Sequence, residues 1–207
     1  MTFTDMLAAH PVIAILRGLT PEEAPAIGDA LLDAGVRILE VPLNSPRPFE
    51  SIAILARRCG ADALVGAGTV MSAEDVARVS EAGGRLAISP HLDVAVVAAA
   101  KAAGLVAIPG AFTPSEIFAA LRAGADAVKL FPAELIGPEG LRALRAVVPA
   151  GVALIPVGGV SAATMPEWRA AGASGFGVGS ALFRPGRAAT EVAALARAMV
   201  GAARPGG

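Results

Sequence analysis

The stretch Ala34-Gly35-Val36-Arg37-Ile38-Leu39-Glu40-Val41 decides how the chain reads. A small residue and a glycine precede a short apolar run. The same figure returns as Gly83-Gly84 before Leu86–Ser89, Ala103-Gly104 before Leu105–Ile108, Ala123-Gly124 before Asp126–Leu130, and Ala171-Gly172 before Gly175–Val178. Glycine after a helix supplies the left-handed cap that releases the chain into a strand. Short, near-continuous apolar runs suit strands of a parallel sheet covered on both faces.

Between the runs lie segments with helix start signals. Thr20-Pro21-Glu22-Glu23, Ser72-Ala73-Glu74-Asp75 and Thr113-Pro114-Ser115-Glu116 each put a hydroxyl three residues ahead of an acid. Eight strands are predicted, over 12–16, 36–41, 63–67, 86–89, 105–109, 126–130, 152–157 and 175–178, with starts 19 to 27 residues apart. Eight evenly spaced β-α units in 207 residues predict one domain over 1–207, a (β/α)8 TIM barrel at the short end of the usual ~200–250 residues. An open, doubly wound sheet is the structural rival.

The composition bounds the function. The chain is 55% hydrophobic and 17% charged, which excludes a disordered protein. Its net charge of −1 gives no support to nucleic-acid or anionic-membrane partners. The longest uncharged stretch, Ala146 to Pro166, is interrupted by Pro149, Pro156, Gly151, Gly158 and Gly159. It therefore reads as strand and turns, not as a membrane helix. Met-Thr-Phe-Thr-Asp at the start shows no signal peptide. Cys59 is the only cysteine, which fits a reducing, cytoplasmic compartment. It reads as helix surface, and Trp168 as helix packing. His10 and His91 are isolated from other ligand types, so no metal site is predicted.

A barrel places its chemistry at the carboxyl ends of its strands. That directs attention to Arg17, Glu40, Thr69, Pro90, Gly110–Thr113, Lys129, Gly158-Gly159 and Gly179-Ser180. Of 17 basic residues only two are lysine. Lys101 lies in a helical stretch and reads as solvated. Lys129 lies in the apolar run Ala127-Val128-Lys129-Leu130-Phe131. Two readings stand: a lysine paired with a core carboxylate, or a Schiff-base nucleophile. The second needs a neutral amine, and burial lowers a lysine pKa by up to ~3–5 units.

Glu40 shares a predicted strand face with Val36 and Ile38, where an unpaired carboxylate is costly. It reads either as a partner of Arg17 or Lys129, or as a proton shuttle with a raised pKa. Arg17 ends the first strand and suits a carboxylate or phosphate, although a plain surface arginine fits as well. Val157-Gly158-Gly159-Val160-Ser161 and Gly177-Val178-Gly179-Ser180 follow the last two strands, where barrels often cradle phosphate on backbone N–H groups. Gly175-Phe176-Gly177-Val178-Gly179 is not a dinucleotide fingerprint, because it occupies the strand itself.

Taken together, Ile15-Leu16-Arg17-Gly18, Leu39-Glu40-Val41-Pro42-Leu43-Asn44-Ser45-Pro46, Gly66-Ala67-Gly68-Thr69-Val70, Pro109-Gly110, Thr113-Pro114-Ser115-Glu116, Val128-Lys129-Leu130-Phe131-Pro132 and Val157-Gly158-Gly159-Val160 resemble the bacterial 2-keto-3-deoxy-6-phosphogluconate aldolases, in order and over nearly the whole chain. The resemblance implies a homotrimer of (β/α)8 barrels running class I aldolase chemistry without metal or cofactor. It implies an imine on Lys129, proton transfer by Glu40, and pyruvate oxygens held by Thr69 and Arg17. Gly158, Gly159, Gly179 and Ser180 would hold the phosphate of a small phosphorylated sugar acid, with Pro90 lining the site. The gluconate enzymes usually carry Arg where this chain has Asn44, and Thr where it has Val157. Both departures look like the branch acting on the C4 epimer, 2-dehydro-3-deoxy-6-phosphogalactonate, whereas Phe131-Pro132-Ala133-Glu134 looks like the gluconate branch. A non-imine phosphosugar isomerase or synthase, and a phosphosugar-binding protein, are the alternatives.

Overall fold

The computed structural model describes residues 2–204. Its strands are β1 (Val12–Ile15), β2 (Ile38–Pro42), β3 (Leu64–Gly68), β4 (Leu86–Ile88), β5 (Val106–Ile108), β6 (Gly110–Ala111), β7 (Val128–Leu130), β8 (Leu154–Pro156) and β9 (Phe176–Val178). Its helices are α1 (Phe3–Ala9), α2 (Ala24–Asp33), α3 (Pro48–Cys59), α4 (Ala73–Glu81), α5 (Val94–Ala102), α6 (Pro114–Arg122), α7 (Ala133–Arg145), α8 (Met165–Ala170) and α9 (Ala189–Ala202). No helix among the described residues is long and apolar enough to cross a membrane.

The α/β alternation forms, with every strand pairing parallel. The closed eight-stranded (β/α)8 TIM barrel does not. Six strands form one curled sheet, β5-β4-β3-β2-β1-β9, and three form another, β6-β7-β8. The predicted fifth strand, 105–109, is the cause. Pro109 has no N–H to give a ladder. It divides the segment, so Val106–Ile108 pair with β4 while Gly110–Ala111 pair with β7. On the other side, β8 and β9 share only the bridge Val157↔Gly177.

Side chains from both sheets still meet in one inner cluster. Ile13, Ile15, Ile38, Leu64, Leu86, Ile88, Ile108 and Ile155 belong to it. The opposite faces, with Leu39, Val65, Leu130, Leu154 and Phe176, pack against the helices in a larger cluster. Strands buried on both faces account for the apolar composition. Val36 precedes β2 and packs on the helix side, not beside Ile38 as alternation predicted. Leu7 of α1 joins the inner cluster and lies against Gly175, at the amino end of β9. That end is closed, and the carboxyl ends remain for chemistry.

The cap signals are realised with one shift. Thr113 and Glu116 form a reciprocal capping box on α6, and Ser72 caps α4 through the Asp75 N–H. Thr20 and Glu23 also bond reciprocally, but they close a turn ahead of α2, which starts at Ala24. Cys59 is buried instead of lying on the helix surface, because it continues the Ser51, Ile52 and Leu55 stripe of α3. Burial raises its thiol pKa. Trp168 packs in the core.

Candidate active site

Register brings the two charged strand residues inward. In β7, Lys129 stands beside Gly110 of β6 and Ile155 of β8. In β2, Glu40 stands beside Ile15 of β1 and Gly66 of β3. Both side chains line one narrow cavity, otherwise walled by the apolar Ile13, Ile15, Ile88, Ile108, Ile155 and Val157 with Gly177. Lys129 is 7% exposed and Glu40 2%.

They share the cavity without forming an ion pair within 4 Å among the described residues. Glu40 Oε2 has no hydrogen-bond partner among them. Burial pushes the Glu40 carboxyl up to about 7, with Lys129 and Arg17 pulling it partly back. Burial likewise holds the Lys129 amine below the ordinary lysine value; Glu40 opposes that shift and Arg17 adds to it. The amine lies 4.6 Å from the centre of the Phe131 ring, a residue the sequence offered only as part of a family motif.

Two glycines of β3 stand where a side chain would not fit, and one of them makes room for Glu40. A Cβ on Gly68 would collide with the Glu40 carboxylate, and one on Gly66 would collide with the Leu86 carbonyl. Gly68 lay inside a quoted motif, yet nothing in a strand glycine tells the reader which side chain fills its space. Thr69 follows with φ +57°, a left-handed conformation rare for a non-glycine residue.

Above the cavity opens a cleft of about 270 Å³ that shares Ile15, Val157 and Gly177 with it. Arg17, Gly158, Gly159, Gly179 and Ser180 line this cleft. So do Phe131 and Ser161, which the sequence quoted within motifs without giving them a role. Gly158 and Gly159 have φ of +112° and +67°, so the β8 turn depends on glycine. Glu134 packs against Gly158 from the α7 side and does not line the cleft. The predicted residues Thr69, Asn44 and Pro90 line neither space. Asn44 instead accepts a 3.2 Å hydrogen bond from Arg17 Nη1, and the backbone of Pro90 packs on Gly110.

The rest of the sequence candidates fall away from the site. Lys101 pairs with Asp126 at 2.7 Å on the α5 surface. His10 Nδ1 lies 3.2 Å from the Gly35 carbonyl, and His91 is exposed. No group of three His, Cys, Asp or Glu among the described residues is arranged to hold a metal.

A buried amine and a buried carboxyl, sharing an apolar cavity at the carboxyl ends of parallel strands, define a site for carbonyl chemistry through nitrogen. The comparisons agree with that class: residues 3–196 match the aldolase family model for KDPG and KHG aldolase, and the chain belongs to this family. The chain is similar to a probable 2-dehydro-3-deoxy-6-phosphogalactonate aldolase of Rhizobium meliloti (strain 1021), with 46% identity over 88% of this chain and 86% of the relative. A solved structure described as native KDPGal superimposes with TM-score 0.91 at 42% identity, covering 93% of each chain. A KDPG aldolase of Legionella pneumophila, solved with pyruvate captured as a covalent carbinolamine, superimposes with TM-score 0.86 at 29% identity, covering 96% of this chain and 98% of that one.

Proposed function

We propose that the protein is a class I aldolase that cleaves 2-dehydro-3-deoxy-6-phosphogalactonate to pyruvate and glyceraldehyde 3-phosphate. The observation that carries the reading is the buried Lys129 amine in one cavity with Glu40. The family and the galactonate-named relative support it.

The geometry supports the following roles. Lys129 Nζ, its pKa lowered by burial, attacks the C2 carbonyl in its neutral form and gives a carbinolamine. Glu40, with a pKa of about 7, protonates the leaving hydroxyl, and water departs to give the imine. The same carboxylate takes the proton of the C4 hydroxyl. The C3–C4 bond then breaks, its electrons pass into the enamine, and the aldehyde leaves. Protonation at C3 and hydrolysis of the imine release pyruvate and restore the amine. Arg17 faces the oxygens of the substrate acid from the mouth of the cavity. Gly158, Gly159, Gly179 and Ser180 receive the phosphate; Thr69 joins Arg17 at the pyruvate oxygens, Pro90 borders the site, and Asn44 acts through its hold on Arg17.

Val157, inside the cavity wall, is the reason for favouring the galactonate epimer. It offers no hydrogen bond to a C4 hydroxyl, so it suits the configuration that turns that hydroxyl elsewhere. Pyruvate release measured side by side on the two C4 epimers tests this. The galactonate epimer is expected to have kcat/KM at least about tenfold higher. Equal values, or a preference for the gluconate epimer, would assign the chain to 2-dehydro-3-deoxy-6-phosphogluconate instead.

The whole chain is read as one catalytic domain that assembles as a homotrimer in the cytoplasm. Met71 and Phe112, exposed on the loops after β3 and β6, and Val94, exposed at the start of α5, support an interface between copies. The lone cysteine supports the reducing compartment.

A further inference from the structure

Arg17 and Ser180 belong to two spaces at once. The cleft described above reaches them from the Gly158 side. A second cleft shares Ile15, Arg17, Gly179 and Ser180 with it and adds Gly18, Phe183, Arg184 and Pro185. Together the two clefts present two guanidinium groups, and no carboxylate lines either one.

Arg184 is held for use. Its Nε donates to the Ser180 carbonyl at 3.0 Å, which fixes the side chain beside Ser180. Its Nη groups lie within 4 Å of no carboxylate among the described residues. The next residue, Pro185, packs against Gly18, whose missing side chain leaves room for the proline ring. That contact ties the Arg184 segment to the loop carrying Arg17. Arg187, three residues on, contrasts with this. It bonds the Leu182 carbonyl at 2.9 Å and pairs with Glu191 at 3.0 Å, so its charge is spent within the fold.

We propose that Arg184 is a specificity-determining residue that binds the terminal phosphate of the substrate together with Ser180, selecting phosphorylated over unphosphorylated 2-keto acids. The proposal rests on the aldolase reading above for its substrate. A guanidinium presents paired N–H donors to phosphate oxygens and keeps its charge at any working pH. Backbone N–H groups at Gly158-Gly159 position a phosphate; the arginine rewards its two negative charges.

The test compares wild type, Arg184→Met and Arg184→Lys on the phosphorylated substrate and on its dephosphorylated counterpart, with inorganic phosphate as a competing inhibitor. A lost charge-assisted contact raises KM for the phosphorylated substrate roughly 10- to 100-fold in Arg184→Met, while kcat changes little. The inhibition constant of inorganic phosphate rises in parallel, and Arg184→Lys recovers part of both. Turnover of the dephosphorylated substrate is the same in all three proteins. An equal loss on both substrates, or no loss on the phosphorylated one, overturns the proposal. If folded wild type releases no pyruvate at all, the aldolase reading fails instead. Calorimetric binding of inorganic phosphate to wild type and Arg184→Met then still decides the role of the arginine.

Discussion

Glu40 enters β2 as one carboxylate among Ile38, Leu39 and Val41, and desolvation raises its pKa from 4.5 to about 7. This has a consequence for stability. Between those two values the unfolded carboxyl is ionised while the folded one keeps its proton. The native state then binds more protons, so unfolding free energy falls as pH rises. The contribution is complete below pH 4.5 and is lost through about pH 7. Relative to Glu40→Gln, wild type should lose about 3 kcal/mol across that interval. Urea denaturation of both proteins at several pH values measures it; parallel stability curves would contradict the assignment. Glu40 and Lys129 were legible because charge inside an apolar run is conspicuous. Arg184 was not, since an arginine in a turn looks like any solvated side chain. Asn44 was marked as a substrate contact; its hydrogen bond with Arg17, 27 residues away, was not legible, because it joins two loops distant in sequence.

At the scale of elements, the β8 turn is the sensitive part. Gly158 has φ +112°, which a side chain reaches only with strain, and a Cβ there would meet the Glu134 carboxylate. Glu134 is exposed and can swing aside, so backbone strain dominates the penalty. Gly158→Ala should cost on the order of 1–3 kcal/mol and should raise KM for the phosphorylated substrate more than it lowers kcat. Calorimetry with steady-state kinetics checks both; an unchanged KM would remove the turn from phosphate binding. Most strands were legible to within two residues, because glycine and apolar runs punctuate the chain. Their limits in β5 were not. Pro109 was read as the end of one strand, but its missing N–H splits that segment between two sheets.

At the scale of the molecule, a curled six-stranded and a three-stranded parallel sheet with one inner cluster replace the closed barrel. They keep what the site requires: strands with aligned carboxyl ends and an apolar lining that desolvates one lysine. Alternating β-α units were plain in the sequence, but closure depends on hydrogen bonds between distant strands, where no local pattern speaks. The central claim is the imine on Lys129, and borohydride trapping measures it most directly. Wild type incubated with pyruvate and borohydride should gain the mass of one reduced pyruvate adduct, located by peptide mapping on Lys129, and Lys129→Arg should gain none. Active protein that remains unmodified, or that carries the adduct on Lys101, would contradict the account.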